Sequence, residues 1–372
     1  MKLETIAVHA GSKVDPATGA VAPPIHLSTT YEHGPAAEEI HGYLYIREGN
    51  PTQARLEEAL AAIEGGEGAL AFASGVAAGA ALAQAMGTGS HIIFPDDMYV
   101  DFRNLSRDFL PGWGMQASEV NMQDATAVAR AFQPNTKLVW LETPSNPLMK
   151  VVDIAALAKL AHERGALLVA DNTFATPVLQ RVLDLGADFS LHSTTKYFGG
   201  HSDVQGGALI AKRKDELFEK LKYVRQVTGC VASPFNSWLV LRGIRSLACR
   251  MEKHSANGMA LAEALSKSKA VSAVHYPGLA THTGYEIAKK QMNRFGGMLS
   301  IQLKGGREAA LRTTSRVKLF TVATSLGGVE SLIEHRASSE GKSSKAPADL
   351  LRISVGLEDA GDLIADLEQA LS

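Results

Sequence analysis

The sequence predicts an α/β protein: a mostly parallel sheet with helices on both faces, followed by a smaller C-terminal α+β domain and preceded by an N-terminal arm. Three observations predict it. Short, β-rich apolar runs alternate with helix-patterned segments between about residues 55 and 212, which is the rhythm of βαβ units. The runs are mostly apolar, as in strands buried on both faces. Beyond residue 235 the rhythm gives way to a long helical stretch and then to isolated strand-like runs. These changes divide the chain into an arm over 1–49, an α/β domain over 50–245 and an α+β domain over 246–372.

Residues 1–50 are rich in His, Pro, Gly and Thr with little periodicity, which predicts an extended arm outside the core. The expected strands are ALAF (69–72), HIIF (91–94), LVWLE (138–142), ALLVAD (166–171), ADFSLHS (187–193) and GGALIA (206–211). Between them, VVDIAALAKLAHERG (151–165) places Ile154, Leu157, Ala158 and Ala161 on one helical face, with Gly165 at the end. No charge falls between Gly68 and Ser90, and a bilayer span needs about 20 apolar residues. Ser74, Gln84, Thr88 and Ser90 interrupt that stretch, so a strand followed by a buried helix is expected there. In the C-terminal part, residues 233–265 read as helix and 298–303 and 351–355 as strands, while ASSEGKSSKAPAD (337–349) reads as a mobile surface loop.

Composition narrows the function. The 372 residues are 45% hydrophobic and 20% charged, the balance of a globular protein larger than one ordinary domain. Lys and Arg total 37 against 39 Asp and Glu, so no overall field draws the chain to nucleic acid or an anionic membrane. Cys230 and Cys249 lack ligand-like spacing, which speaks against a disulfide framework and a metal site. MKLETIAVHAGS has no apolar signal core, and a cytoplasmic protein is the expectation.

In a parallel sheet, ligands gather at the carboxyl ends of the strands. There the sequence places Ser74 and Gly75, Asp96 to Tyr99, Glu142 to Asn146, Asp171, and His192 to Lys196. Lys196 follows a buried strand, where an ammonium is costly; it either snorkels outward or is converted, for example to a Schiff base with an aldehyde cofactor. Asp171 closes an apolar strand and needs either a cationic partner, such as a protonated pyridine nitrogen, or a capping role toward Asn172 and Thr173. Gly75 opens a helix whose free amides suit a phosphate, although such a glycine also occurs without a ligand. Tyr99 can stack on an aromatic ring or pack at a domain edge. Arg352 alternates with Leu351, Ile353 and Val355, so it faces either solvent or a site where it would clamp a carboxylate.

Taken together, HAGS (9–12), PPIHLSTTY (23–31), YIREGNPT (45–52), FASG (72–75), DDMY (96–99), ETPSNP (142–147), DNTF (171–174), HSTTKYFGGHSDVQGG (192–207), SLGGVESL (325–332) and LRISVGLED (351–359) carry a resemblance. The chain resembles the Cys/Met-metabolism family of pyridoxal-phosphate enzymes, the trans-sulfuration enzymes, over nearly its whole length. The resemblance implies the fold of type I aminotransferases and pyridoxal 5'-phosphate as cofactor. It makes Lys196 the lysine that binds the cofactor's aldehyde and removes protons, and Asp171 the partner of the pyridine nitrogen. Tyr99 would stack on the ring and assist transfers near the leaving group. Gly75, Val76, Ser193 and Thr195 would hold the phosphate, joined by Tyr45 and Arg47 reaching from a neighbouring subunit. That arm implies a homodimer or homotetramer. Asn146, Ser325 and Arg352 match positions that hold the substrate's α-carboxylate. The implied reaction is γ-elimination or γ-replacement on a sulfur amino acid or a homoserine ester, with methionine γ-lyase, a cysteine-conjugate β-lyase, or a catalytically quiet cofactor-binding relative as alternatives.

The chain departs from the family's pattern in places that would wall the site. Val100, Asp101 and Phe102 follow Tyr99 where Gly-Gly-Thr is usual, and Val76 replaces a Met. Leu44 and Thr324 stand where several relatives carry acids that would attract a distal amino group; Asp101 and Glu330 are the acids that could substitute. The segment from Glu334 to Asp349 also differs, and it is expected to shape the distal pocket.

Overall fold

A computed structural model of the chain describes residues 1–341 and 344–372. Twelve strands form two sheets among them. The first seven are β1 (Gly68–Phe72), β2 (His91–Pro95), β3 (Gln116–Val120), β4 (Thr136–Glu142), β5 (Leu167–Asp171), β6 (Phe189–His192) and β7 (Gly207–Ala211). They lie in the order β1-β7-β6-β5-β4-β2-β3. Only β7 runs against its neighbours, pairing antiparallel with both β1 and β6. The carboxyl ends of β1, β2, β4, β5 and β6 therefore open on one edge.

The apolar runs become strands because both of their faces are covered. In β4, Leu138 and Trp140 join one core and Val139 and Leu141 the other, and β2 and β5 divide in the same way. Helix Gly75–Met86 packs against β6 and β7 on one side, whereas Ile154–Glu163 packs against β4 and β5 on the other. Trp140 is fully buried, with Phe94 at 5.3 Å and Phe102 at 4.6 Å between ring centroids. This cluster anchors the segment after Tyr99 to the sheet, and truncating such a tryptophan costs about 3–5 kcal/mol.

The second sheet contains β8 (Val271–His275), β9 (Met298–Leu303), β10 (Thr321–Val322), β11 (Leu332–His335) and β12 (Leu350–Ser354), in the order β10-β11-β12-β9-β8. Its core, including Leu299, Ile301, Ile333, Leu351 and Ile353, is closed by helices Leu247–Leu265 and Ala360–Leu371. No helix of the described residues is long and apolar enough to cross a membrane.

Two expectations need correction. The arm is not extended throughout: Leu3–His9 is a helix, and its Ala7 reaches the main core. The stretch expected to be a mobile loop begins instead as the helix Arg336–Glu340, with Arg336 buried. Arg336 and Glu340 form ion pairs inside the protein, while Lys345 further along remains exposed. Lys342 and Ser343 of that stretch lie outside the described residues.

Candidate active site

The open edge of the first sheet faces the second sheet across a cavity of about 560 Å³. Of the residues singled out from sequence, Gly75, Val76, Tyr99, Asn146, Asp171, Ser193, Thr195, Lys196, Ser325 and Arg352 all line it. Tyr45 and Arg47 do not. They sit exposed on the arm, the Arg47 guanidinium 5.3 Å over the Tyr45 ring and hydrogen-bonded to the Gln226 carbonyl at 3.3 Å.

Lys196 lies four residues beyond β6, and its Nζ donates to Ser325 Oγ at 2.7 Å. Burial, with the charges of Arg352 and Arg336 adding, pulls the amine down to about 8. Ser325 is held at φ +80°, a conformation that L residues seldom adopt and that costs about 1–3 kcal/mol. Its loop passes so close to the lysine that a Cβ on Gly327 would lie 2.7 Å from the Tyr197 nitrogen. The hydroxyl thus reaches the amine from the loop between β10 and β11. Ser325 also accepts from Arg352 Nη2 through its carbonyl at 2.9 Å, and Arg352 Nη1 donates to Asn146 Oδ1 at 3.1 Å. Because Leu351 and Ile353 turn into the core, Arg352 turns to the cavity, buried and in contact with Glu334. Burial pulls its guanidinium down to about 10, against the opposing effect of Glu334.

Asp171 and Glu142 are direct cross-strand partners at the ends of β5 and β4. Burial pushes the Asp171 carboxyl up, although Thr173 N donates to its Oδ1 at 3.0 Å. Burial and then the Asp171 charge push Glu142 well above the usual carboxylate range. Glu142 in turn accepts from the Tyr99 amide at 2.8 Å, which fixes the tyrosine at the rim of the cavity. The Tyr99 hydroxyl donates to Asp101 Oδ2 at 2.7 Å, and burial, then Asp101, raise it well above an ordinary phenol. No Lys, Arg or His of the described residues forms an ion pair with Asp171 or Glu142. Two buried carboxyls whose charged forms are disfavoured in this way would be held ionised only by a cation from elsewhere.

Ser74 opens helix Gly75–Met86 by accepting from Ala77 N at 3.0 Å. The amides of Gly75 and Val76, in the first turn, have no helical partner and line the cavity. A Cβ at Gly75 would meet Ser193 Cα and Cβ at 3.0 Å, so the glycine lets the helix start press against the end of β6. Ser193 Oγ makes no hydrogen bond among the described residues, whereas Thr195 Oγ1 already exchanges bonds of 3.1 and 3.0 Å with Gly206.

Two groups in the cavity wall escaped the sequence reading. Arg336 and Glu340 line it from their short helix. Their i,i+4 spacing was the available signal, hidden in a segment of polar composition. Of the acids considered as substitutes, Asp101 does line the cavity; Glu330 bonds Ser202 away from it.

A depressed amine facing two carboxylates that lack a cation, one strand from a phosphate-ready helix start, matches a ligand with an aldehyde, a cationic aromatic ring and an anionic tail. Those complementary features define the pyridoxal-phosphate-dependent enzymes. The chain belongs, over residues 4–372, to the family described as Cys/Met metabolism PLP-dependent enzyme. It is 48% identical to the cystathionine gamma-synthase of Mycobacterium tuberculosis, over 99% of this chain and 96% of that one. It is 43% identical to the cystathionine beta-lyase of Coxiella burnetii, over 99% and 97%. The solved structure of metB from Corynebacterium glutamicum superposes with a TM-score of 0.97 at 44% identity, covering 100% of this chain and 98% of that one. The protein is an enzyme of the trans-sulfuration family, its cofactor is pyridoxal 5'-phosphate and its substrate an amino acid.

Proposed function

We propose that this enzyme carries out γ-replacement or γ-elimination on a thioether amino acid or a homoserine ester. The observation that carries the reading is the Lys196 amine, hydrogen-bonded to Ser325 and depressed to about 8, in a cavity that extends past Tyr99 to Arg336 and Glu340. The relative named cystathionine gamma-synthase supports the γ position, while the one named a β-lyase keeps the leaving position open to test.

Pyridoxal phosphate, when bound, supplies an aldehyde for the substrate's amine and a ring that accepts the electron pair left at Cα. Asp171, with Glu142 beside it, would hold the proton on the ring nitrogen. Gly75 and Val76 amides and the Ser193 hydroxyl would hold the phosphate, and Thr195 would join them by releasing Gly206. Arg352, steadied by Asn146 and Ser325, holds the substrate's α-carboxylate. Lys196 Nζ, a near-neutral base, takes the proton from Cα and then the one from Cβ that a γ-leaving group requires. Tyr99, protonated at neutral pH and bonded to Asp101, faces the leaving side.

The exposed Tyr45 and Arg47 support a homodimer in which each arm completes the other subunit's phosphate site. A mixture of Arg47→Ala and Lys196→Ala proteins would then regain activity that neither has alone.

The reaction is tested by incubating the holoenzyme with a homoserine ester, with and without L-cysteine, and with L-cystathionine, and identifying the oxoacid or thioether formed. Cystathionine or 2-oxobutyrate is the expected product. Pyruvate as the sole oxoacid would transfer the assignment to β-elimination.

A further inference from the structure

The turn that presents Asn146 to Arg352 is built around a carboxylate that the catalytic steps above do not use. Asp97 follows β2, is buried, and lies outside the cavity lining. Its Oδ2 accepts from the Ser145 hydroxyl and from Leu148 N at 3.3 Å. The same hydroxyl accepts from Lys150 N at 2.9 Å, and Ser145 N donates to the Lys150 carbonyl at 3.0 Å. Residues 145–150, beyond the end of β4, are thereby folded back around one side chain from the end of neighbouring β2. Met149, at φ +54°, holds a conformation that L residues seldom adopt, so the turn needs support from outside itself. Burial pushes the Asp97 carboxyl up, while Ser145, Lys150 and Leu148 pull it back. The far side of the turn meets the second sheet. Ser300 Oγ donates to the Pro147 carbonyl at 2.8 Å, and Ser300 on β9 is the cross-strand partner of Arg352 on β12.

We propose that Asp97 is a positioning residue for the substrate's α-carboxylate, acting through Ser145 and Asn146 to set the direction of the Arg352 guanidinium. The role rests on the assignment of Arg352 to that carboxylate made above, and adds the group that aims it. A guanidinium grips a carboxylate through two parallel donors in one plane, so its rotation matters as much as its distance. Arg352 Nη2 faces the Ser325 carbonyl and Glu334, both of the second sheet and its loops. Among the described residues, the bond from Nη1 to Asn146 is its one hydrogen bond to the first sheet's side of the cavity. Without the Asp97 bonds the turn would loosen, and Arg352 would stay in place but lose its registration against Lys196 and Asp171. Because both bonds to Asp97 are buried and end on a charged acceptor, water does not replace them when the side chain is cut back. A purely structural role would instead lower stability and treat every amine at the site alike.

The test compares L-alanine with ethylamine, which keeps the amine and lacks the carboxylate, reading both dissociation constants from the cofactor absorbance of the holoenzyme. For Asp97→Ala, Kd for L-alanine is expected to rise about tenfold while Kd for ethylamine and for the cofactor stay unchanged. Asp97→Asn, whose single amide oxygen can still accept from Ser145 and Leu148, should remain within about threefold of wild type. Melting temperatures report whether each variant folds, and Ser145→Ala, which removes only the linking hydroxyl, decides if Asp97→Ala does not. Asp97→Ala combined with Asn146→Ala should lose little more than either alone, because the two act along one chain of contacts. A constant ratio of the L-alanine and ethylamine constants, or two losses that add in full, would overturn the proposal. Arg352→Lys separates the underlying assignment: an unchanged ratio there refutes the α-carboxylate reading itself, whereas a ratio changed there and not in Asp97→Ala refutes only the role of Asp97.

Discussion

Replacing Lys196 with Met is expected to stabilise the cofactor-free protein at neutral pH. Burial and the nearby Arg352 and Arg336 charges pull the lysine from 10.5 to about 8, so a proton on it is held at a cost in the folded state. At about 1.4 kcal/mol per pH unit, that gap corresponds to about 3 kcal/mol. Below pH 8 both the folded and the unfolded chain bind the proton, and the full cost is present. Between 8 and 10.5 the unfolded chain still holds a proton that the folded one has released, so wild-type stability rises with pH. Above 10.5 the cost is gone. The advantage of Lys196→Met is therefore largest at pH 7 and shrinks to a pH-independent packing remainder by pH 10.5. Urea unfolding of both cofactor-stripped proteins at pH 7, 9 and 10.5 measures it, and subtraction cancels the titration of all other groups. An advantage that did not change across this range would refute the argument that Lys196 is held as a strained, desolvated cation.

Asp171→Asn removes the charge assigned to the ring nitrogen, and bonds to charged groups contribute about 1.5–3 kcal/mol; cofactor affinity is expected to fall about ten- to hundredfold by fluorescence titration, and an unchanged Kd would count against the pairing. Ser325→Ala deletes the acceptor of the Lys196 Nζ bond, which favours the protonated amine, so the amine of the cofactor-free protein should titrate about one unit lower, followed by the pH dependence of its acylation. Gly75→Ala places a Cβ 3.0 Å from Ser193, and with overpacking costing about 1–3 kcal/mol, equilibrium dialysis should show cofactor retention reduced at least tenfold.

The central strands of the first sheet were legible because burial on both faces favours apolar residues, and β1, β2, β4, β5, β6 and β7 fall where their mostly apolar runs lie. The edge strand β3 was not legible. Its sequence, Gln116–Val120, is half exposed and polar, held by backbone pairing to β2. Asp171 and Glu142 could be found from an ionisable residue closing an apolar run. Arg352 could not be assigned a direction by alternation alone, since that pattern fits solvent as well as a cavity; the bond to Asn146, 206 positions away, decides it. Arg336 and Glu340 failed for the same reason more completely: a polar stretch looks solvated until the chain that buries it is known.

The placement of charge across the sheet explains why the site needs both sheets. Asp171 and Glu142 end β5 and β4, while Gly75, whose amide and that of Val76 line the cavity, packs against Ser193 just beyond the end of β6. Adjacent strands lie about 5 Å apart, so anion-seeking amides and cation-seeking carboxylates are separated by about 5–10 Å along the edge. A rigid ring with a cation at one end and a phosphate at the other spans that interval, and a flexible ligand of the same charges would lose entropy in doing so. On the proposed assignment the first sheet would orient the cofactor, with Tyr45 and Arg47 of a neighbouring arm closing the phosphate end. The Lys196 amine is held by Ser325 from the loop between β10 and β11, and on the proposed assignment the substrate's carboxylate would meet Arg352 of β12. On that assignment, cofactor affinity should depend on residues 68–211 together with Tyr45 and Arg47 of a neighbouring arm, whereas reaction and substrate choice should depend on residues 324–352.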